Sequence, residues 1–241
     1  MKNILITGAS SDIGIELVKN LKLGNYKLGL HYNSKGEILK KITKHQNNIK
    51  LFKKNLVNEN GCISLVNEYI GWAKKIDVFI QLHGAIKKSK KWYSLSQKDI
   101  LQDLNVNFFS TFNLSKLVFQ KMKKTGGKIV LTSTSSASHG GGVDTFGYGM
   151  SKFSIEYLTK LLAKEGGNHK ILCNAIAPGF INTKIHLQSK TPSQIKKRAS
   201  LNKLKMAGNP KNIVPIIKML ISEENSFMTG EIIKIDGGDW L

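Results

Sequence analysis

Near its start the chain reads Asn3-Ile4-Leu5-Ile6-Thr7-Gly8-Ala9-Ser10-Ser11-Asp12-Ile13-Gly14. An apolar strand, Asn3–Thr7, runs straight into a glycine-bearing loop that opens a helix. Gly8 suits a tight turn, and Gly14 lets the helix lie close on the strand. Ser10 and Ser11 offer hydroxyls to a phosphate, and the free N–H groups of the helix N-terminus favour an anion. A plain strand-to-helix turn with two glycines is the competing reading. No Lys-Ser/Thr pair follows, so the loop is not of the Walker A type. Ile13, Leu17 and Leu21 then recur one helical turn apart, with Val18 beside them.

The same alternation continues along the chain. Strand-like runs fall at Asn3–Thr7, Lys27–Tyr32, Ile49–Asn55, Val78–Leu82, Lys128–Ser133, Leu172–Ile176 and Ile232–Ile235. Helical spacing fills the gaps: a segment closing at Trp72, Gln97–Met122 as two helices broken near Asn105–Asn107, and an amphipathic Gly149–Lys164. Nearly all-apolar strands alternating with helices predict an α/β fold with a parallel sheet covered on both faces. No linker, repeat or composition break divides residues 1–241, so one domain is expected. Two irregular segments, Ser133–Gly147 and Thr183–Pro210, leave the C-terminal ends of predicted strands, where such sheets bind ligands. The second carries seven Lys or Arg and is expected to act as a substrate lid over residues 183–210.

Composition narrows the classes. With 41% hydrophobic and 22% charged residues in 241, the chain is globular and long enough to need no disulfide or metal staple. The net charge is +21, yet Arg198 is the only arginine among 37 Lys and Arg. Nucleic-acid readers favour arginine's planar fork, so this skew argues for a composition bias and against nucleic acid as partner. The field still attracts anions such as nucleotide phosphates or an acidic carrier protein. Cys62 and Cys173 form no C-x-x-C pair, which predicts two free thiols and no metal site. The run Ile4–Ile6 ends too soon for a secretory peptide, and Ile213–Ile221 is short and carries Lys218. A cytoplasmic protein without a membrane span is expected.

Two further segments speak of chemistry. The second strand ends His31-Tyr32-Asn33-Ser34-Lys35, 24 residues past Gly8 at Tyr32. A site selective for NAD places an acid there to hold the ribose hydroxyls. Here no carboxylate comes before Glu37, and Asn33, Ser34 and Lys35 suit a 2′-phosphate, so NADP is favoured over NAD. Tyr148-Gly149-Met150-Ser151-Lys152 puts a phenol and an ammonium at i and i+4, on one helix face. A Lys⁺ beside the phenol is expected to lower its pKa toward useful acidity.

Together these segments resemble the short-chain dehydrogenases/reductases, in order and over nearly the whole chain. The family's T-G-x-x-x-[G/A]-x-G is Thr7 to Gly14, with Asp12 in place of a small residue. Its N-N-A-G is Gln81-Leu82-His83-Gly84, and its N-V-N is Asn105-Val106-Asn107. Its Y-x-x-x-K is Tyr148 and Lys152 after the Ser-rich strand end. Its N-x-x-x-P-G-x-[I/V]-x-T is Asn174, Pro178, Gly179, Ile181 and Thr183. Its T-G and D-G-G are Thr229-Gly230 and Asp236-Gly237-Gly238. The look is nearest to 3-oxoacyl-[acyl-carrier-protein] reductase-like members.

The resemblance implies a Rossmann-type, doubly wound, mainly parallel seven-stranded sheet in a homotetramer or homodimer. It implies hydride transfer between NADPH and a ketone or secondary alcohol, with a 3-oxoacyl thioester, a sugar or another small alcohol as substrate. Tyr148 is then the general acid, Lys152 holds the nicotinamide ribose, and Asn107 supports a water relay to Lys152. The hydroxyl that holds the carbonyl oxygen is Thr134 counting from Lys128, or Ser135 counting back from Tyr148, with Ser133 a third choice. Gly8, Ser10, Ser11, Asp12, Ile13, Gly14, Tyr32, Asn33, Ser34, Asn55, Leu56, His83, Gly84, Pro178, Gly179, Ile181 and Thr183 join Tyr148 and Lys152 at the cofactor. The departures matter: Leu82 is expected to loosen the central strand, His83 is bulky beside the cofactor, and loss of catalysis in a dinucleotide-binding protein is the alternative they raise. For carrier docking, the turns of Lys123-Lys124 and His169-Lys170 are expected close together at the sheet end opposite the strand C-termini.

Overall fold

The strand-like runs all enter one sheet. The computed structural model describes residues 1–21, 23–184 and 191–239. β1 (Lys2–Thr7), β2 (Tyr26–Tyr32), β3 (Ile49–Lys53), β4 (Val78–Gln81), β5 (Gly127–Thr132), β6 (Ile171–Pro178) and β7 (Ile232–Ile235) lie in the order β3-β2-β1-β4-β5-β6-β7. Every neighbouring pair is parallel. β4 is the middle strand and β1 lies beside it, with Leu5 between Gly29 of β2 and Phe79 of β4. The chain order reverses beside β1, which makes the β1/β4 edge a topological switch point where such sheets open a ligand crevice. The arrangement is the Rossmann-type doubly wound fold.

Helices bury an apolar stripe on each face. On one side α1 (Asp12–Asn20), α2 (Glu37–Ile42) and a late helix, Pro210–Ile221, pack Leu17, Val18, Leu39 and Ile217 against Ile4, Ile6 and Ile80. On the other, α3 (Glu59–Ala73), α5 (Ser110–Met122) and α6 (Phe146–Gly166) pack Tyr69, Val118 and Ile155 against Leu5, Phe79 and Ile129. Both faces being covered explains why β1 and β4 are buried along nearly their whole length. Gly29 leaves room for the Tyr69 ring, since a Cβ there would fall 2.3 Å from a ring carbon.

Three expectations are corrected. Gln97–Met122 is not two helices with a break. α4 (Gln97–Leu104), capped by a Ser96/Asp99 box, passes through a π-type turn at Asn105–Phe109 directly into α5. A single widened turn absorbs the misfit that broke the periodicity. Thr183–Pro210 is not irregular throughout: α7 (Pro192–Ala199) stands there, with Thr191 and Gln194 as capping box, while residues 185–190 of the expected lid lie outside the described residues. The late helix Pro210–Ile221 is α8. Finally, β3, β4 and β5 stop short of Asn55, Leu82 and Ser133, because those residues already turn into the loops that carry the site.

Candidate active site

The loops at the C-terminal ends of β1, β2, β4, β5 and β6 surround a cleft of about 940 Å³. That size lies toward the top of the range of roughly 300–1,000 Å³ typical of small-molecule sites. Of the residues singled out by sequence, Ser10, Ser11, Asp12, Ile13, Ser34, His83, Gly84, Thr134, Tyr148, Lys152, Pro178, Gly179, Ile181 and Thr183 line it, and so does Ser133.

The glycine loop forms one end. Gly8 has φ +68, and a Cβ there would strike the His83 backbone at 2.5 Å, so only glycine fits. Ser11 caps α1 by accepting from the Gly14 amide at 3.1 Å, which leaves its own O–H free to donate. Asp12 lines the cleft but also accepts from the Lys184 amide at 2.7 Å. It thereby ties the first helix to the start of the 183–210 segment. Beyond it, Ser34, Lys35, Glu37 and Ile38 close this end. Glu37 is held by Lys40 at 2.9 Å.

Several expected cofactor contacts stand back from the cleft. Tyr32 folds its ring over Gly36, where a Cβ would be 2.5 Å away, and joins the apolar packing around α2. Asn33 is exposed outside the lining. Asn55 uses its side chain on the Val57 amide at 3.1 Å, and Leu56 is buried in the core. Lys35 was within reach of sequence reasoning. Lys87, Ser89 and Thr145 were not, because nothing local marks a loop residue as a cleft wall.

The departures at Gln81-Leu82-His83 prove to be compensated. Gln81, fully buried, accepts from the Thr132 amide through its side chain at 2.9 Å and from the Thr132 hydroxyl through its carbonyl at 2.5 Å. The central strands β4 and β5 are thus cross-tied without an Asn at position 82. The His83 ring is held between Thr7 Oγ1 and Ser110 Oγ, both at 2.8 Å. Ser110 gives its one proton to the Val106 carbonyl at 2.8 Å, so His83 Nε2 must donate and Nδ1 must accept from Thr7. The ring is neutral, and burial holds its pKa well below the usual histidine range.

Tyr148 and Lys152 share one face at the start of α6. Lys152 Nζ lies 5.7 Å from the Tyr148 ring centroid and donates to the Thr132 carbonyl at 2.8 Å. Sequence led to the expectation that Lys152 would acidify the phenol. Instead burial dominates: the Tyr148 phenol is pushed up to about 12, with the Asp103 charge adding to the effect, and Lys152 is pushed down to about 7. Burial disfavours both charged forms.

The three candidate hydroxyls have different surroundings. Ser133 Oγ donates to Glu156 at 2.7 Å and is buried. Ser135 is buried and outside the lining. Thr134 lines the cleft, with only long contacts at 3.3 Å to Ser136 and 3.4 Å to the Pro178 carbonyl. Asn107, fully buried in the π turn, commits both amide protons to the Ala85 and Asp103 carbonyls at 2.9 Å and accepts from the Ala85 amide. It anchors the loop after β4, and a Cβ on Gly84 would lie 2.8 Å from its oxygen.

Residues 8–239 match a family model described as enoyl-(acyl carrier protein) reductase. The chain belongs to the short-chain dehydrogenase/reductase family. A 3α-hydroxysteroid dehydrogenase of Mediterraneibacter gnavus is 31% identical over 175 residues, 73% of this chain and 68% of the relative. A 3-oxoacyl-[acyl-carrier-protein] reductase of Thermotoga maritima is 30% identical over 187 residues, 76% of this chain and 74% of the relative. Among solved structures, ElxO with NADP bound superposes with TM-score 0.88 at 26% identity, covering 98% of each chain. No helix among the described residues is long and apolar enough to cross a membrane.

Proposed function

We propose that the chain is an NADPH-dependent carbonyl reductase acting on a ketone. The observation that carries this reading is that Tyr148, Lys152 and Thr134 line one cleft together with Ser10 to Ile13 of the glycine loop. The residues fit the dinucleotide. Ser10 to Ile13 place the N-terminus of α1 where a pyrophosphate would lie, and Ser34 and Lys35 stand where a 2′-phosphate would meet no unpaired carboxylate. NADPH, when bound, supplies the hydride. Tyr148 carries the proton that the carbonyl oxygen takes up, and Thr134 donates a hydrogen bond to that oxygen as negative charge develops on it. Lys152 contributes through the ribose and through the charge it gains when anionic groups enter its surroundings.

A 3-oxoacyl thioester on an acidic carrier protein is the preferred substrate, and a steroid or sugar alcohol the second reading; relatives with each name occur. Lys123 and His169 both pack on Phe119, with ring centroids 5.9 Å apart for His169, so the two basic turns do meet, away from the cleft. Carrier docking there would deliver substrate to a neighbouring subunit. Self-association is supported by an exposed apolar face: Phe153, Tyr157 and Leu161 at i, i+4 and i+8 on α6, beside Phe109 and Phe112. We place the protein in the cytoplasm as a homotetramer or homodimer, with residues 183–210 as lid. The test is turnover of a panel of carrier-linked, thioester, steroid and sugar ketones with NADPH and NADH, alongside the solution mass. NADPH should be preferred, and Tyr148→Phe should lower turnover by orders of magnitude while still binding NADPH. Near-normal turnover in that variant would overturn the mechanism.

A further inference from the structure

A buried carboxylate that the proposed mechanism does not use lies beside the acid. Asp103, in the last turn of α4, is 1% exposed. Its Oδ1 accepts from the Lys87 amide at 2.8 Å, and the Lys88 amide also donates to it. Lys87 and Ser89 belong to the cleft wall that follows β4. Its Oδ2 faces Gly147, where an added Cβ would come within 3.0 Å. Gly147 immediately precedes Tyr148 in the first turn of α6. That helix has no side chain capping its N-terminus and no acid in its own first turn. Asp103 brings a carboxylate from a neighbouring helix to this helix start, where negative charge is favoured, while burial raises its own pKa. The Asp103 carbonyl also accepts from Asn107 at 2.9 Å, so the cleft wall, the π turn and the start of α6 converge on one residue.

We propose that Asp103 is a positioning residue: its carboxylate docks the 85–91 wall onto the start of α6 and keeps Tyr148 in its proton-carrying form. This rests on the reading of Tyr148 as proton donor. Charged or titratable groups around Tyr148 include Lys152 and Glu156 on α6, Asp103 on α4, Lys87 on the wall, and His139 and Asp144 before α6, where Asp144 pairs with Lys91 of the wall at 3.0 Å. After burial, the Asp103 charge also opposes ionisation of the phenol. The consequence has a definite sign. With Asp103 ionised, Tyr148 holds its proton to higher pH, so reduction persists into alkaline solution and alcohol oxidation, which needs the phenolate, begins later.

Asp103→Asn keeps the size and one acceptor while removing the charge. The midpoint of the Tyr148 phenolate absorbance, taken as the difference from Tyr148→Phe, should fall by about 0.5 pH unit or more. The pH profile of oxidation should move down by the same amount. KM should rise severalfold as the wall loosens, with a smaller change in kcat. The absorbance titration needs no substrate, so it reads the coupling even if no ketone in the panel is reduced. Identical phenolate midpoints in the two proteins would overturn the proposal. Should Asp103→Asn fail to fold, tyrosine ¹³Cζ and aspartate ¹³Cγ labels in the unaltered chain serve instead. The Tyr148 resonance must then inflect where Asp103 ionises, and a flat response there would overturn it.

Discussion

At the scale of single residues, the site turns on which groups keep a proton or a lone pair unused. Ser133 and Thr134 are chemically similar and adjacent, yet Ser133 is bound to Glu156 while Thr134 faces the cleft with weak contacts. Thr134→Ala should therefore reduce kcat by about 10²-fold, the usual effect of losing one donor to a developing oxyanion. Ser135→Ala should leave kcat within a few-fold. Steady-state kinetics on the two single variants decides it, and a larger loss at Ser135 would assign the role there. Sequence narrowed the hydroxyl to three candidates because two counting registers disagreed across a loop of variable length. Their surroundings differ, and Thr134 is the one of the three that we propose.

At the scale of elements, the apolar periodicities were legible and their ends were not. Strands were placed to within a few residues because a sheet covered on both faces demands continuous apolar runs. The continuous passage of α4 through the π turn into α5 was not legible. Asn105 and Asn107 look like breakers, but Asn107 satisfies its amide on Ala85 and Asp103 in three dimensions. The packing of α3 on β2 yields a stability test. Tyr69 fills the space left by Gly29, but its buried hydroxyl has no hydrogen-bond partner. Burial pushes its pKa far up for the same reason. Leaving a buried polar group unpaired costs about 1–3 kcal/mol. Tyr69→Phe should thus stabilise the fold by about 1 kcal/mol, raising the urea midpoint at constant slope. A lower midpoint would mean that the hydroxyl has a partner in solution.

At the scale of the whole molecule, two neutral histidines flank the glycine loop. His31 accepts from the Gly8 amide at 3.2 Å and faces the Lys54 carbonyl at 3.0 Å, and burial pulls its pKa down to about 4. His83 is shifted in the same direction. An unfolded histidine titrates near 6.5. Between pH 6.5 and 4 the unfolded chain therefore binds more protons than the folded one, and stability falls as pH falls. From pH 7 to pH 5, His31 alone should remove about 2 kcal/mol, and His83 adds to the loss. Urea unfolding at pH 7, 6 and 5 measures this, and His31→Gln should flatten the dependence. An unchanged midpoint across that range would show that the rings are protonated in the fold.

The order of strands and helices, the glycine turn and the Tyr148/Lys152 pair were decided locally, by periodicity and by residue type at fixed spacing. These survive reading one segment at a time because backbone geometry sets them within a few residues. The ionisation of the site, the different surroundings of Ser133, Thr134 and Ser135, and the contacts of Gln81, His83 and Asp103 required the tertiary structure. Each depends on how much water a group loses and which distant donor or acceptor replaces it. Lys152 sits 20 residues past the Thr132 carbonyl that holds it, and His83 lies 76 residues past the Thr7 hydroxyl bonded to it. Such partners come together only when the parallel sheet brings the ends of its strands to one edge.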